Sequence, residues 1–156
     1  MKFQWKALAG SLALSLGTGF LSALLTPAIQ EDYAQLYRPP LAPPGWVFPV
    51  VWTALYVLIG IAAFLVYISD APEKTQILRA YVIQLVFNLL WPVIFFRLGA
   101  YLPAFLWLII LWFMVFELRK RFAEVDELAG KLMVPYLLWL TFAAYLNFSI
   151  ALWSVS

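Results

Sequence analysis

Charge is missing from five long stretches of this chain, and that gap constrains its fold more than any other feature. No Asp, Glu, Lys or Arg occurs at positions 7–30, 39–69, 80–96, 98–116 or 132–156. A helix rising about 1.5 Å per residue needs about 20 apolar residues to cross about 30 Å of hydrocarbon. Each stretch holds a segment close to that length. The predicted spans are 6–26, 46–69, 77–96, 102–118 and 132–155, with the fourth the shortest apolar run. Strand-like alternation of polar and apolar residues is absent, which argues against a membrane β-barrel. The expected fold is all-α: residues 1–156 form a single membrane domain, a bundle of five transmembrane helices.

Composition agrees with lipid as the solvent. The chain is 65% hydrophobic and 12% charged, against about 45–50% and about 25% in soluble domains. It contains no Cys and no His. That removes disulfides, thiolate nucleophiles, imidazole bases and the usual ligands of zinc, copper or haem iron. No metal site and no required cofactor are expected. A net charge of +2 is too small to indicate a nucleic-acid partner.

Segment 1 follows Lys2 and Lys6 and outwardly resembles a signal peptide. Its apolar run exceeds the about 7–15 residues of a signal core, and Ala-Leu-Leu-Thr-Pro-Ala is a poor cleavage site, so a retained helix is expected. Eight of the ten cations (Lys2, Lys6, Lys74, Arg79, Arg119, Lys120, Arg121 and Lys131) flank one side of the predicted bundle; Arg38 and Arg97 flank the other. The positive-inside rule then puts the N-terminus in the cytoplasm and the C-terminus outside. The loop 27–45 falls outside with the C-terminus. Helical bundles sit in bacterial inner membranes, so that membrane is expected rather than the outer one.

Several residues stand out within this frame. Ala7, Ser11, Ser15, Gly19 and Ala23 are small and four apart, which suits close helix packing. That packing is either internal or a dimer seam. Gln84, Asn88 and Trp91 share one face of segment 3, and an amide in hydrocarbon must find a partner. These amides are either glue between helices or part of a site. Pro92 removes a backbone donor and is expected to free the Asn88 carbonyl and kink the helix. Trp52 and Tyr56 lie one turn apart in segment 2. Tyr136, Trp139, Ala143 and Asn147 form a stripe in segment 5. Trp5, Trp46 and Trp153 fit an interfacial belt, whereas Trp52, Trp91 and Trp139 lie on stripes that would converge on an apolar pocket with a few polar groups. The 27–45 loop is long for a small bundle. Its prolines make it a stiff extended strap, either a lid over the bundle end or a connector.

Four motifs then carry a resemblance. They are Arg38-Pro-Pro-Leu-Ala-Pro-Pro-Gly-Trp46, Trp52-Thr-Ala-Leu-Tyr56, Gln84-Leu-Val-Phe-Asn88-Leu-Leu-Trp91-Pro92 and Pro135-Tyr-Leu-Leu-Trp139-Leu-Thr-Phe-Ala-Ala-Tyr-Leu-Asn147. In this order, over nearly the whole chain, they resemble the tryptophan-rich sensory protein family. That family is also called TspO or translocator protein and includes the peripheral benzodiazepine receptor. The lack of a eukaryotic extension points to its bacterial members. The resemblance implies a bundle that is often dimeric, with a pocket open toward the loop between helices 1 and 2. It implies porphyrin ligands such as protoporphyrin IX, sterols in some members, and synthetic isoquinoline or benzodiazepine-type ligands. Trp52, Asn88, Trp91, Trp139 and Ala143 carry over as pocket residues by motif position. Tyr33 and Leu36 carry over by their distance from Arg38-Pro39. One departure concerns sterols: the helix-5 motif of mitochondrial members needs an apolar residue, Tyr and then a cation. Here Leu146 and Phe148 fill the first two places and no Lys or Arg follows, which argues against sterol recognition by that motif. Arg79, Tyr81 and Leu85 fit only the loose reversed pattern.

The functional expectation is a membrane receptor or binding protein for a flat amphipathic ligand, in tetrapyrrole transport, sensing or regulation. The ligand contacts expected are Tyr33, Leu36, Arg38, Trp52, Tyr56, Gln84, Asn88, Trp91, Trp139, Ala143 and Asn147. Indoles would stack on the porphyrin face, and Arg38 would attract its carboxylates. One alternative is light-dependent porphyrin degradation through Trp52 and Trp139. Another is a passive carrier or a signalling partner using the charged segment Glu117–Lys131. Ion-coupled transport is not expected, because five spans do not divide into equal repeats and no span carries a central charge.

Overall fold

The computed structural model describes residues 2–155, and among them there is no β-strand. The helices are α1 (Lys2–Leu25), α2 (Ile29–Gln35), α3 (Val47–Tyr67), α4 (Lys74–Pro92), α5 (Tyr101–Val125), α6 (Glu127–Leu132) and α7 (Val134–Val155). A π-helical turn, Val93–Arg97, continues α4. Five helical stretches, with α6 and α7 counted together, are long and apolar enough to cross a membrane. The burial pattern is that of a protein dissolved in lipid. Phe20, Val50, Leu106, Phe113 and Leu138 are each more than half exposed, at positions where water would penalise them.

Small residues and hydroxyls bring the helices together. Ser11 Oγ donates to the Gly60 carbonyl at 2.6 Å, and Ser15 Oγ to the Tyr56 carbonyl at 2.7 Å. A Cβ on Gly60 would lie 2.6 Å from Ser15 Oγ, so the α1–α3 approach requires glycine there. Of the two readings of the small stripe, Ser11, Ser15 and Gly19 take the internal one: they face α3. Below them, Ile59, Ala62, Val66, Tyr81, Phe122 and Tyr136 belong to one buried core.

Three sequence expectations need correction. Residues 27–45 are not an extended strap throughout, because α2 occupies 29–35. That stretch has no proline, and Glu31 and Asp32 stand in its first turn, where the helix dipole favours acids. Only the proline-rich part beyond it is irregular. The fourth span does not end at Leu118: α5 runs on to Val125. Loss of apolar character does not end a helix that meets no Gly or Pro, and a Glu117–Lys120 pair at 3.1 Å spans one turn of the extension. The fifth span begins earlier than 132, with α6. Asp126 adopts an extended conformation and its Oδ1 accepts from the Ala129 amide at 3.1 Å, capping α6. A Cβ on Gly130 would strike Ala123, so α6 folds back tightly on α5. The charged segment 117–131 is therefore mostly helix, with a further exposed pair, Lys131–Glu127, at 3.4 Å.

At Pro92 the missing backbone donor is absorbed by a change of helix type. The following five residues take π-helical hydrogen bonding, with Leu98 N donating to the Val93 carbonyl at 3.0 Å. A π-turn at a helix interruption is a recurrent companion of functional sites. Here it turns Phe95 inward beside Tyr101 and Trp91.

Candidate functional site: an aromatic cavity under the proline loop

α1, α2, α3, α4, the π-turn and α7 enclose a cavity of about 380 Å³ at the end of the bundle that carries the proline loop. Its size falls within the about 300–1,000 Å³ of small-molecule pockets. The walls are mainly aromatic. Trp52 stacks on Tyr56 at 5.6 Å and meets Trp139 edge-on at 6.4 Å. Phe48 links Trp139 to Tyr33, at 5.8 and 4.9 Å. Trp91 supplies a further wall beside Phe95.

Tyr56, Asn88 and Asn147 bring polar groups to the cavity wall, and each is held in a hydrogen-bonded set that runs on behind it. Tyr56 Oη donates to Asn88 Oδ1 at 2.5 Å, Asn88 Nδ2 to Tyr136 Oη at 2.8 Å, and Tyr136 Oη to Gln84 Oε1 at 2.6 Å. A second set holds Asn147, whose Oδ1 accepts from Trp91 Nε1 at 3.0 Å while its Nδ2 donates to the Tyr101 carbonyl at 2.9 Å. Asn88 and Asn147 thus find partners on neighbouring helices, as an apolar medium demands, whereas Gln84 Nε2 is buried without one. Trp139 Nε1 is a buried donor without a hydrogen-bond partner.

The proline loop is latched from several sides. Tyr33 Oη donates to the Pro43 carbonyl at 2.5 Å and Gln30 Nε2 to the Gly45 carbonyl at 3.0 Å, which folds the loop onto α2. Tyr145 Oη donates to the Pro40 carbonyl at 2.6 Å, and Tyr37 stacks on Trp153 at 5.3 Å, which ties it to α7. Leu41, at the loop tip, has φ of 73° and is 84% exposed. Burial raises the Tyr33 phenol pKa, with Arg38 partly opposing the rise.

The structure brings Tyr33, Trp52, Tyr56, Asn88, Trp91, Trp139, Ala143 and Asn147 to the cavity wall. It does not bring Leu36, Arg38 or Gln84 there. Leu36 packs beside Phe95, Ala104 and Ile150 and lines a separate side pocket with Asp32 and Tyr101. Tyr33 lies within α2, whereas Leu36 caps its end in an extended conformation (ψ 156°), where the chain leaves the helix. Arg38 lies over the Tyr33 ring, 5.2 Å from its centroid. Gln84 shares a face with Asn88 and Trp91, but at about 1.5 Å per residue it lies about 10 Å below Trp91 along the axis. It is fully buried behind Tyr136. Sequence reasoning overlooked Phe48 and Gly19 as lining residues. Phe48 precedes Trp52 by one helical turn, and Gly19 belongs to the small stripe, so both carried a signal. Two further indoles, Trp107 and Trp112, make internal bonds: they donate to the Phe87 carbonyl and Thr141 Oγ1, each at 2.8 Å.

Fold and site together define a multi-pass helical membrane protein with an aromatic chamber at one end. The sequence model of the TspO/MBR family matches residues 11–153. The chain is 35% identical over 154 residues to the tryptophan-rich protein TspO of Chlorobaculum tepidum, covering 96% of this chain and 97% of that protein. It is 37% identical over 148 residues to the tryptophan-rich sensory protein of Cereibacter sphaeroides, covering 95% and 91%. It is 33% identical over 147 residues to the translocator protein of Homo sapiens, covering 92% and 87%. The chain belongs to the TspO/MBR family.

Proposed function

We propose that this membrane protein is a receptor for a flat, amphipathic aromatic ligand, with protoporphyrin IX the leading candidate, and that it acts in tetrapyrrole sensing or transport. The observation that carries the reading is the cavity: tryptophan and tyrosine walls from α3 and α7, a few ordered amides at its base, and a latched loop above. Indole faces suit a π-system, and Arg38 above Tyr33 would meet carboxylates at the mouth rather than inside the chamber. With no His or Cys in the chain, the metal-free macrocycle is favoured over haem. Isoquinoline and benzodiazepine-type ligands suit the same apolar walls. Sterol binding would use this chamber and not the incomplete helix-5 motif. The same reading has the N-terminus in the cytoplasm, the C-terminus outside, an inner-membrane location and a homodimer.

The test is a titration of intrinsic tryptophan fluorescence with protoporphyrin IX in nanodiscs. Trp139→Phe and Asn88→Ala are expected to weaken binding several-fold. Wild-type affinity in both variants would rule this cavity out as the porphyrin site.

A further inference from the structure

We propose that Gln84, which does not touch the cavity, is a positioning residue that sets the hydrogen-bonding polarity of the cavity floor, allowing the site to accept ligands bearing an acceptor by reversing a chain of side-chain hydrogen bonds. The inference deepens the ligand-binding reading and rests on it.

The chain Tyr56–Asn88–Tyr136–Gln84 has a direction. Each donor points away from the cavity, from Tyr56 to Asn88, from Asn88 to Tyr136 and from Tyr136 to Gln84. A half-turn of a carboxamide exchanges its oxygen and nitrogen with little change in shape. Half-turns of Asn88 and Gln84 would leave every ring where it is and reverse all the bonds. Gln84 Nε2 would then donate to Tyr136, Tyr136 to Asn88 Oδ1, and Asn88 Nδ2 to Tyr56. The number of bonds within the chain is the same either way, so the two ends decide between the directions.

At the inner end, the present direction strands Gln84 Nε2, which is buried without a partner. The Tyr81 hydroxyl, three residues earlier on the same helix, is also without a hydrogen-bond partner. Reversal replaces the stranded N–H group with a carbonyl oxygen, one turn from a hydroxyl that has a proton to give. A buried unpaired carbonyl is better tolerated than a buried unpaired N–H. At the outer end, the present direction consumes the Tyr56 proton and leaves only lone pairs for the cavity. Reversal frees that proton to point at a guest. A guest with an N–H edge favours the present direction. A guest with a carbonyl, carboxylate or imine nitrogen at its edge favours the reverse. The ligand class read by this floor is thus a flat aromatic body with a hydrogen-bond acceptor on one edge.

Fluorene, carbazole and 9-fluorenone test this, because they share one flat shape and differ only in a methylene, N–H or carbonyl bridge. Their affinities would be measured by calorimetry in nanodiscs. Gln84→Leu deprives Tyr136 of its inner acceptor and turns its proton toward Asn88, which locks the reversed direction. Fluorenone should bind about 3–10-fold tighter to this variant, the factor of one net hydrogen bond. Carbazole should bind more weakly and fluorene equally well. Gln84→Met, closer in size to glutamine, should behave alike. In a Tyr136→Phe background the Gln84 substitution should change nothing. The wild-type protein supplies a second readout: the infrared carbonyl stretch of bound fluorenone should fall below its value in hydrocarbon, and the shift should vanish in Tyr56→Phe. Equal changes for all three ligands, no change for any, or an unshifted carbonyl would overturn the proposal while leaving the cavity reading intact. Failure of all three to bind would remove both.

Discussion

Gly17 and Gly19 stand two residues apart on α1, and the structure predicts opposite outcomes when each is replaced by alanine. In a helix the exchange alone favours alanine by about 0.8–1 kcal/mol. At Gly17 nothing lies within 4 Å of the added Cβ, so Gly17→Ala should be neutral or stabilising by up to about 1 kcal/mol. At Gly19 the added Cβ would collide with the Tyr56 ring: Cδ2 would be 2.7 Å away, Cζ 3.2 Å, and Cε2 closer still. Carbon atoms prefer about 3.5–4.0 Å, so the ring must retreat by about 1 Å. It has little room, because Tyr56 is bonded to Asn88 and stacked on Trp52. Overpacking costs about 1–3 kcal/mol, and losing the bond to Asn88 adds about 1–3 kcal/mol for the stranded oxygen. After the propensity gain, Gly19→Ala should lose about 1–5 kcal/mol. It should also weaken ligand binding by displacing a cavity wall. Unfolding in mixed micelles with increasing dodecyl sulfate, followed by tryptophan fluorescence, measures both variants against wild type. A Gly19→Ala protein as stable as Gly17→Ala, with unchanged ligand affinity, would refute the packing of α1 against Tyr56.

Other outcomes follow from the latches and caps. Tyr145→Phe removes the 2.6 Å bond to the Pro40 carbonyl and should speed porphyrin release about 2–10-fold in stopped-flow measurements, with little change in helix content. The Tyr33 phenol is protonated when it donates to Pro43, and burial raises its pKa. Its contribution to loop closure should therefore be complete below about pH 10 and fade as pH rises through the higher folded-state value. Release rates flat from pH 6 to 9 are expected, and this latch must be absent in Tyr33→Phe at every pH. Asp126→Ala removes the cap on α6 and should cost about 1 kcal/mol in the same unfolding assay.

Much of this architecture was legible in the residues, and what was missed has physical reasons. The five spans followed from uninterrupted apolar length, the property the bilayer selects for. The convergence of Trp52, Asn88 and Trp139 is not encoded in their separate stripes, because spacing within one helix says nothing about the rotation of its neighbour. Gln84 shows the limit of a stripe: it shares the face of Asn88 but not its depth, and so lies behind the cavity rather than in it. Helix α2 was hidden by the prolines on either side of it, although 29–35 contains none. The extension of α5 through Arg121 was hidden by equating the end of the apolar run with the end of the helix. Pro92 was legible as an interruption, but its resolution into a π-turn depends on the packing of Phe95 and Tyr101, which no local pattern encodes.

The central claim is that indoles and amides from separate spans form one chamber that holds a planar guest beneath the latched loop. A crystal structure grown from lipid with protoporphyrin IX tests it most directly. The account predicts macrocycle density between Trp52 and Trp139, with Asn88 beneath it and the loop closed above. Density only on the lipid-facing surface, with the chamber filled by its own side chains, would contradict it.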